Sequence, residues 1–342
     1  MLQQVGKFAR LSLLGGTLFY VALGAVSAKD QDITGGIILL EISVATLFHI
    51  HAYVVNDIFD LELDRTEPRR MDFPLVTGAL SVTSAWIIAL TALAGSFLVT
   101  LAELSPTSAL FLVGAYSGLT IYNIAGKKAA VPILTDFVQG CGWASLVLFG
   151  ATAAGYISRY SLMVAAYVCI YVVFMSVHGG LRDIDNDYRR CAQTTPIFFG
   201  ARPISGTIGF VTGNLLAMYV SVLQLSLVLL GVAAPLFSLP MAAPGTLLRL
   251  AVATAIFTLS SLMLLRAFRA GTDFAVSRTA GAGHLVLTLY GGVFVALPEV
   301  GFTALIVLAA VLVLPTLGNT WFRRAFALPY RLSAKGHTGR PR

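Results

Sequence analysis

Ten apolar stretches, each long enough to cross a bilayer, fill most of this 342-residue chain. They lie near residues 11–28, 34–55, 83–103, 107–124, 131–153, 160–180, 206–234, 246–267, 280–297 and 300–318. A spanning helix needs about 20 mostly apolar residues, because in hydrocarbon each backbone N–H and C=O must be bonded within protein. Long apolar runs such as Val220–Ala234 fit helices, whereas a membrane barrel would show weak alternation over segments of about ten residues. Composition agrees with the runs: 57% of residues are hydrophobic, 11% are charged and mean hydropathy is +0.83. A soluble domain carries about 25% charge, so too few ionic residues exist here to coat a soluble globule. Disordered chains are rich in charge and poor in apolar residues, so that class is excluded too. The expectation is an all-α, polytopic membrane helix bundle of nine or ten transmembrane helices, forming one integral membrane domain over residues 1–342.

The basic residues give the orientation. Ten spans put both termini and alternate loops on one side, and that side collects 20 of the 23 Lys and Arg. Lys29, Arg159 and Arg249 are left on the other. By the positive-inside rule the rich side is cytoplasmic. The net charge of +7 is thereby explained without nucleic acid. The first run lacks a small-residue cleavage site and is expected to stay as an anchor. Cys141, Cys169 and Cys191 show neither metal-ligand spacing nor a disulfide framework.

The acidic residues are concentrated. Nine of the 16 occupy two segments on the basic side: Asp57, Asp60, Glu62, Asp64, Glu67 and Asp72 after the second run, and Asp183, Asp185 and Asp187 after the sixth. Asn56, Asp60 and Asp64 are spaced four apart, as are Asp183 and Asp187, so a continuing helix stacks each set on one face. Stacked like charges repel and oppose the macrodipole at a helix C-terminus. Cations would relieve both penalties, and hard oxygen ligands suit Mg²⁺, which is usually held by one or two carboxylates plus phosphate oxygens. The alternative is a pair of solvated acidic loops. The two clusters lie about four spans apart, as though a four-helix unit occurred twice around a central cavity.

Basic residues flank the acids. Arg65, Arg69 and Arg70 follow the first cluster, Arg182, Arg189 and Arg190 surround the second, and Tyr122, Lys127 and Lys128 stand in the loop after the fourth run. Acids for Mg²⁺ beside bases for phosphate oxygens describe a diphosphate site.

The segment N-D-x-x-D-x-x-x-D from Asn56 to Asp64 resembles the first signature of the UbiA superfamily of intramembrane prenyltransferases. D-I-D-N-D from Asp183 to Asp187, followed by Thr194-Thr195, resembles the second, and Tyr122 to Lys127 resembles the family's tyrosine–lysine loop. The resemblance covers roughly residues 10–205. It implies Mg²⁺ held by Asn56, Asp60, Asp183 and Asp187, with Asp64 orienting metal or water. It also implies a prenyl diphosphate bound by Arg65, Lys127, Lys128, Arg182 and Arg189, with Tyr122, Asp64, Lys127 and Arg182 taking catalytic parts. The implied reaction moves an isoprenoid chain onto a small hydrophobic or aromatic acceptor in the bilayer and releases diphosphate. Phe73-Pro74 stands where the family often has Arg-Pro, and Arg10 is followed by Leu11 rather than proline.

Other polar residues fall inside the apolar runs, where ionisable groups are functional candidates. His49 and Tyr53 extend the Asn56–Asp60 face, His178 precedes Asp183 by five residues, and Asp136 and Gln139 follow the lysine loop. Glu41 is expected to make a structural bond between helices, and His284 carries no clear signal. Two rival functions share these features. A membrane terpene cyclase would ionise the same diphosphate and use its own double bond as nucleophile. A cation transporter would instead need acids near the bilayer midplane.

Overall fold

The structure is a computed structural model and describes residues 8, 10–28, 34–67, 70–204, 209–238, 244–268, 274–296, 308 and 310. Nine helices of 14 residues or more run through the described residues. They are α1 (Leu14–Ser27), α2 (Gly35–Phe59), α5 (Val82–Glu103), α6 (Pro106–Ala125), α7 (Pro132–Ala153), α8 (Arg159–Arg182), α11 (Asn214–Ser238), α12 (Pro244–Ala267) and α13 (Phe274–Ala296). Between them stand the short helices α3 (Leu61–Asp64), α4 (Pro74–Thr77), α9 (Ile184–Arg189) and α10 (Thr195–Phe198). The first nine apolar runs each form one long helix, while the tenth, at 300–318, lies almost wholly outside the described residues.

One boundary differs from the expectation. The run read as 206–234 starts its helix at Asn214, because Arg202–Pro203 and Phe210–Val211 pair as two short antiparallel strands, β1 and β2. Pro203, Gly209 and Gly213 favour extended and turn conformations over helix there. Elsewhere the helix starts are written locally. The side chains of Thr34, Ser81, Ser105 and Ser158 each accept the backbone N–H three residues on, which satisfies an orphan donor of the first turn.

The outer surface is apolar. Leu98 is 71% exposed and Leu265 70% exposed, and large aliphatic side chains project from α2, α5, α6, α11 and α12 alike. Apolar exposure on this scale would aggregate in water; against lipid tails it is the expected surface. The chain is therefore a multi-span integral membrane protein, with seven of its helices long and apolar enough to cross a bilayer among the described residues.

Association inside a bilayer depends on close packing rather than on hydrophobicity. At the α1–α7 crossing a Cβ on Gly24 would sit 1.9 Å from the Val147 carbonyl oxygen, and one on Gly150 would sit 2.1 Å from that of Val21. Two glycines thus let the backbones touch. The C-terminal end of α1 is tied to the start of α8, where Ser27 Oγ donates to Ser161 Oγ at 2.9 Å and Ser158 Oγ donates to the Ser27 carbonyl. A core of Phe19, Phe48, Trp143, Phe149 and Phe174 fills the space around these helices. The opposite ends of α2, α6 and α8 converge at one end of the bundle.

Candidate active site

Both acidic segments begin where a spanning helix breaks. Helix α2 ends at Phe59, and Asp60 leaves helical geometry at φ −89°, ψ 0° before α3 resumes. Helix α8 ends at Arg182, and Asp183 does the same at φ −104°, ψ 7° before α9. The single uninterrupted helix expected through Asn56, Asp60 and Asp64 is therefore replaced by two pieces joined at Asp60. The four-residue bonding ladder survives the break: Asp60 N donates to Asn56 O at 2.9 Å and Asp64 N to Asp60 O at 2.8 Å, matched by Asp187 N to Asp183 O at 3.0 Å. A carboxylate at a helix C-terminus opposes the dipole, and a one-residue break there relaxes the alignment.

Lys127 joins the two segments. It follows α6 in a tight turn, with Gly126 N donating to Tyr122 O at 2.6 Å. Its Nζ stands 3.7 Å from Asp60 Oδ2 and 3.6 Å from Asp187 Oδ1. Its carbonyl accepts Gln193 N at 2.8 Å, and Thr66 Oγ1 donates to Asn186 Oδ1 at 3.2 Å, so backbone and side chain tie the halves together. Asn56 Nδ2 donates to Asp60 Oδ2 and to Asn123 Oδ1, both at 3.3 Å. Arg182 grips Asp183 with two bonds of 3.0 and 2.9 Å.

A second charged group borders the first. Arg10 pairs with the buried Asp57, whose other neighbour is Arg70 at 3.7 Å, and Arg70 also lies 3.7 Å from Asp64. The Arg10 guanidinium lies 5.3 Å from the Tyr53 ring centroid and that of Arg70 4.8 Å from the Phe73 centroid, within cation–π range. Arg10 itself adopts φ 44°, ψ 44°, a left-handed conformation that is uncommon outside glycine. Asp57 and Arg70 stood in the first charged cluster, but the pairing of Asp57 with Arg10 escaped the sequence reading because Arg10 lies 47 residues away. The one available signal was Arg10 standing alone at the entrance to the first run.

Burial sets the titration of the acids at this end. It pushes Asp64 up to about 6, against the opposing pull of Arg70, and Asp187 up to about 6, against that of Lys127. Burial works to lower Lys127, but Asp60, Asp187, Asp183 and Asp64 outweigh it and the ammonium is held above its usual value. Burial lowers Arg70, and the neighbouring Arg10 adds to that, against Asp64 and Asp57.

The donor set fits a hard divalent cation. Both oxygens of Asp187 are buried without a hydrogen-bond partner, an arrangement that costs free energy unless a cation is supplied. Among the described residues no three His, Cys, Asp or Glu side chains converge into a closed metal site. The carboxylates instead face one another across a gap. That suits Mg²⁺, which typically combines one or two carboxylates with oxygens from a phosphate ligand.

Above the charges opens a cavity of about 700 Å³, within the range of about 300–1,000 Å³ for small-molecule sites. Its mouth holds Asn56, Asp60, Lys127, Arg182, Asp183 and Asp187; its depth is walled by Tyr20, Trp143 and Tyr171, with Leu289 and Tyr290 from α13. Tyr53, Tyr122, Asp136 and Gln139 line it in between. A contiguous pocket of about 210 Å³ takes in Asp64 and Asn186 on the outer side.

Several expected residues do not join this group. Arg65 bonds Glu62 at 2.5 Å, Arg189 pairs with Asp185, and both are exposed and outside the cavity wall, as is Lys128. Arg65 and Arg189 sit on the solvent side of short helices, where an acid three or four residues earlier is available. His49 bonds Thr17 at 2.8 Å rather than entering the cavity. His178 turns away from Asp183 and bonds His284 Nδ1 at 3.1 Å, while His284 Nε2 donates to Gln224 Oε1 at 2.9 Å. His284, silent in the sequence, is thus the centre of a buried polar chain. Glu41 is buried, but its Oε1 has no hydrogen-bond partner, so the expected bond between helices is not formed through that atom.

Comparison with known proteins agrees with this architecture. Digeranylgeranylglyceryl phosphate synthase of Thermococcus gammatolerans is 27% identical over 55% of this chain and 66% of its own length. The chloroplastic 2-acylphloroglucinol 4-prenyltransferase of Humulus lupulus is 28% identical over 51% of this chain and 43% of its own. The chain thus spans about half the length of the curated relatives it matches. In structure it resembles a UbiA homolog from Archaeoglobus fulgidus bound to DMAPP and Mg²⁺, with a TM-score of 0.63 at 15% identity over 86% of this chain and 99% of that one. Residues 17–265 match the UbiA prenyltransferase family, and with the match covering most of the chain and its fold, the protein belongs to that family.

Proposed function

We propose that the protein is a Mg²⁺-dependent intramembrane prenyltransferase that moves an isoprenoid chain from a prenyl diphosphate to a small aromatic acceptor. The observation that carries this reading is the convergence at Lys127. Carboxylates from two separate helix breaks lie 3.7 and 3.6 Å from one ammonium, and both oxygens of Asp187 are buried without a hydrogen-bond partner. Asn56, Asp60, Asp183 and Asp187 would hold Mg²⁺, with Asp64 orienting it from the outer pocket. When bound, Mg²⁺ supplies electrostatic stabilisation of the charge that develops on the leaving diphosphate. Lys127 and Arg182 bind and orient that diphosphate and stabilise the same charge. Tyr122 borders the reacting end of the prenyl chain. Tyr20, Trp143 and Tyr171 exclude water from the allylic centre and offer it aromatic faces. The donor class is supported by structures of the Archaeoglobus homolog, which hold DMAPP or GPP with Mg²⁺. On the ten-span reading of the sequence the site opens on the side carrying 20 of the 23 basic residues, which supports a cytoplasmic mouth.

The test is a product analysis in lipid nanodiscs. Prenyl diphosphates of increasing length are offered with Mg²⁺ and a set of phenols, including phloroglucinol and 4-hydroxybenzoate. Diphosphate release and a prenylated phenol are expected, both lost in EDTA. A hydrocarbon or cyclic alcohol formed without any phenol would identify a terpene cyclase instead, and no diphosphate release with any donor would overturn both readings.

A further inference from the structure

Asp136 is an acid in the cavity wall that the diphosphate site leaves unused. It lies early in α7, is 5% exposed and lines the main cavity. The Thr195 hydroxyl donates to its Oδ2 at 2.5 Å, and the Ser176 hydroxyl lies within reach. Ser176 also donates to Gln139 Oε1 at 2.8 Å. A carboxylate offers about four lone-pair sites, so the Thr195 hydroxyl orients Asp136 without saturating it. Among the described residues no lysine or arginine pairs with it.

Depth along the cavity is the second observation. Asp136, Gln139 and Trp143 form one cavity-facing stripe on α7, running from the polar mouth toward the apolar depth. Tyr122 is an electrostatic neighbour of Asp136 as well as of Asp60 and Asp187. Asp136 stands four residues, about one turn, into α7 from its start at Pro132. A prenyl chain whose diphosphate sits at Lys127 would extend past it into the cavity. Thr195 begins α10, directly after the second acidic segment, so the buried bond fixes Asp136 against the segment that carries Asp183 and Asp187.

We propose that Asp136 is the catalytic base that takes the proton displaced from the acceptor. This rests on the transfer reading above and adds to it an acceptor whose nucleophilic atom bears hydrogen. The bond between the first prenyl carbon and the diphosphate oxygen breaks, and its electron pair leaves on diphosphate. The acceptor atom bonds to that carbon, and the proton it carried passes to the Asp136 carboxylate and from there to water. Thr195 is a positioning residue that holds the carboxylate toward the cavity.

The experiment compares the full-length protein with Asp136→Asn in nanodiscs, using geranyl diphosphate, Mg²⁺ and phloroglucinol. Diphosphate release and prenylated phloroglucinol are measured separately. Asparagine keeps an oxygen for Thr195 but cannot take a proton. The substitution should leave diphosphate release within about fivefold while the ratio of prenylated product to diphosphate falls by about 10²-fold or more, the contribution typical of a general base, with geraniol taking its place. Asp136→Glu, which keeps a displaced carboxylate, should recover part of the ratio and serves as the reading if the asparagine variant does not accumulate. An unchanged ratio in both variants overturns the assignment. So does a parallel loss of release and transfer, which would mark a structural or donor-binding role. Release by the unsubstituted protein without prenylated phenol overturns it as well, whereas no release at all overturns the transfer reading beneath it.

Discussion

Lys127→Met removes the one charge shared by both acidic segments while keeping the length and much of the volume of the side chain. At 3.7 and 3.6 Å from Asp60 and Asp187, each pair has a gross Coulomb energy of about 4.5 kcal/mol at an effective dielectric of about 20. The lysine side chain is 27% exposed, so solvent discounts that figure. In catalysis the same ammonium faces charge growing on the diphosphate. Loss of one preorganised donor of that kind typically costs about 10²–10³ in rate, or about 3–4 kcal/mol, which lies below the gross Coulomb ceiling. The expected result is a fall of that size in kcat for diphosphate release, followed with a phosphatase-coupled colour assay at saturating Mg²⁺. Lys127→Arg should recover part of it, since charge is kept but the point geometry is not. Folding must be checked by Tm in the presence of Mg²⁺ and donor. A Lys127→Met protein that folds and works within threefold of the unsubstituted one would refute the assignment of Lys127.

Three other outcomes follow from the geometry. Asp64 and Asp187 are raised from 3.8 to about 6, so folding favours their protonated forms. The stability they contribute is present below about 4 and lost as pH rises through about 6. The metal-free protein should melt lower at pH 7 than at pH 5, and the gain in Tm on adding Mg²⁺, which needs ionised carboxylates, should grow across the same interval; a Mg²⁺ effect independent of pH would contradict this. Gly150→Leu puts a side chain where even a Cβ would lie 2.1 Å from the Val21 carbonyl oxygen, so α1 must move away from α7. Since Gly16, Thr17 and Tyr20 of α1 line the cavity, both Tm and activity should fall together, and an unchanged Tm would show that the crossing is loose. Gln224→Leu leaves the His284 Nε2 donor without its acceptor and releases Ser261. Buried interhelical polar bonds of this kind contribute about 1–2 kcal/mol, so Tm should drop by several degrees with donor binding retained.

The membrane class and the helix positions were legible because one physical constraint, internal satisfaction of the backbone, writes itself into run length and hydropathy. The acidic ladders were legible for a similar local reason: Asn56, Asp60 and Asp64, or Asp183 and Asp187, share a face by spacing alone. Lys127 could be named through its resemblance to a known loop, but its bridging of Asp60 and Asp187 is a tertiary fact with no local trace. The same holds for Arg10, which pairs with Asp57 across 47 residues of chain, and for Thr195 and Asp136, 59 residues apart. Arg65, Lys128 and Arg189 lie outside the cavity wall, a distinction sequence cannot make because a basic residue beside an acidic segment looks alike whether it faces the cavity or the water. The short strands at Arg202 and Phe210 were missed because an apolar run says nothing about where its helix begins.

The central claim is that the two acidic segments form a single Mg²⁺–diphosphate site rather than two solvated loops. A non-reactive thiolo analogue of geranyl diphosphate can be titrated calorimetrically into the protein in nanodiscs, with Mg²⁺ or with EDTA, for the unsubstituted chain, Asp60→Asn, Asp187→Asn and the double variant. Binding should require Mg²⁺, each single substitution should weaken it sharply, and the double variant should lose less than the sum, with a coupling of about 0.5–3 kcal/mol between contacting residues. Binding that ignores Mg²⁺, or losses that simply add, would contradict a shared site.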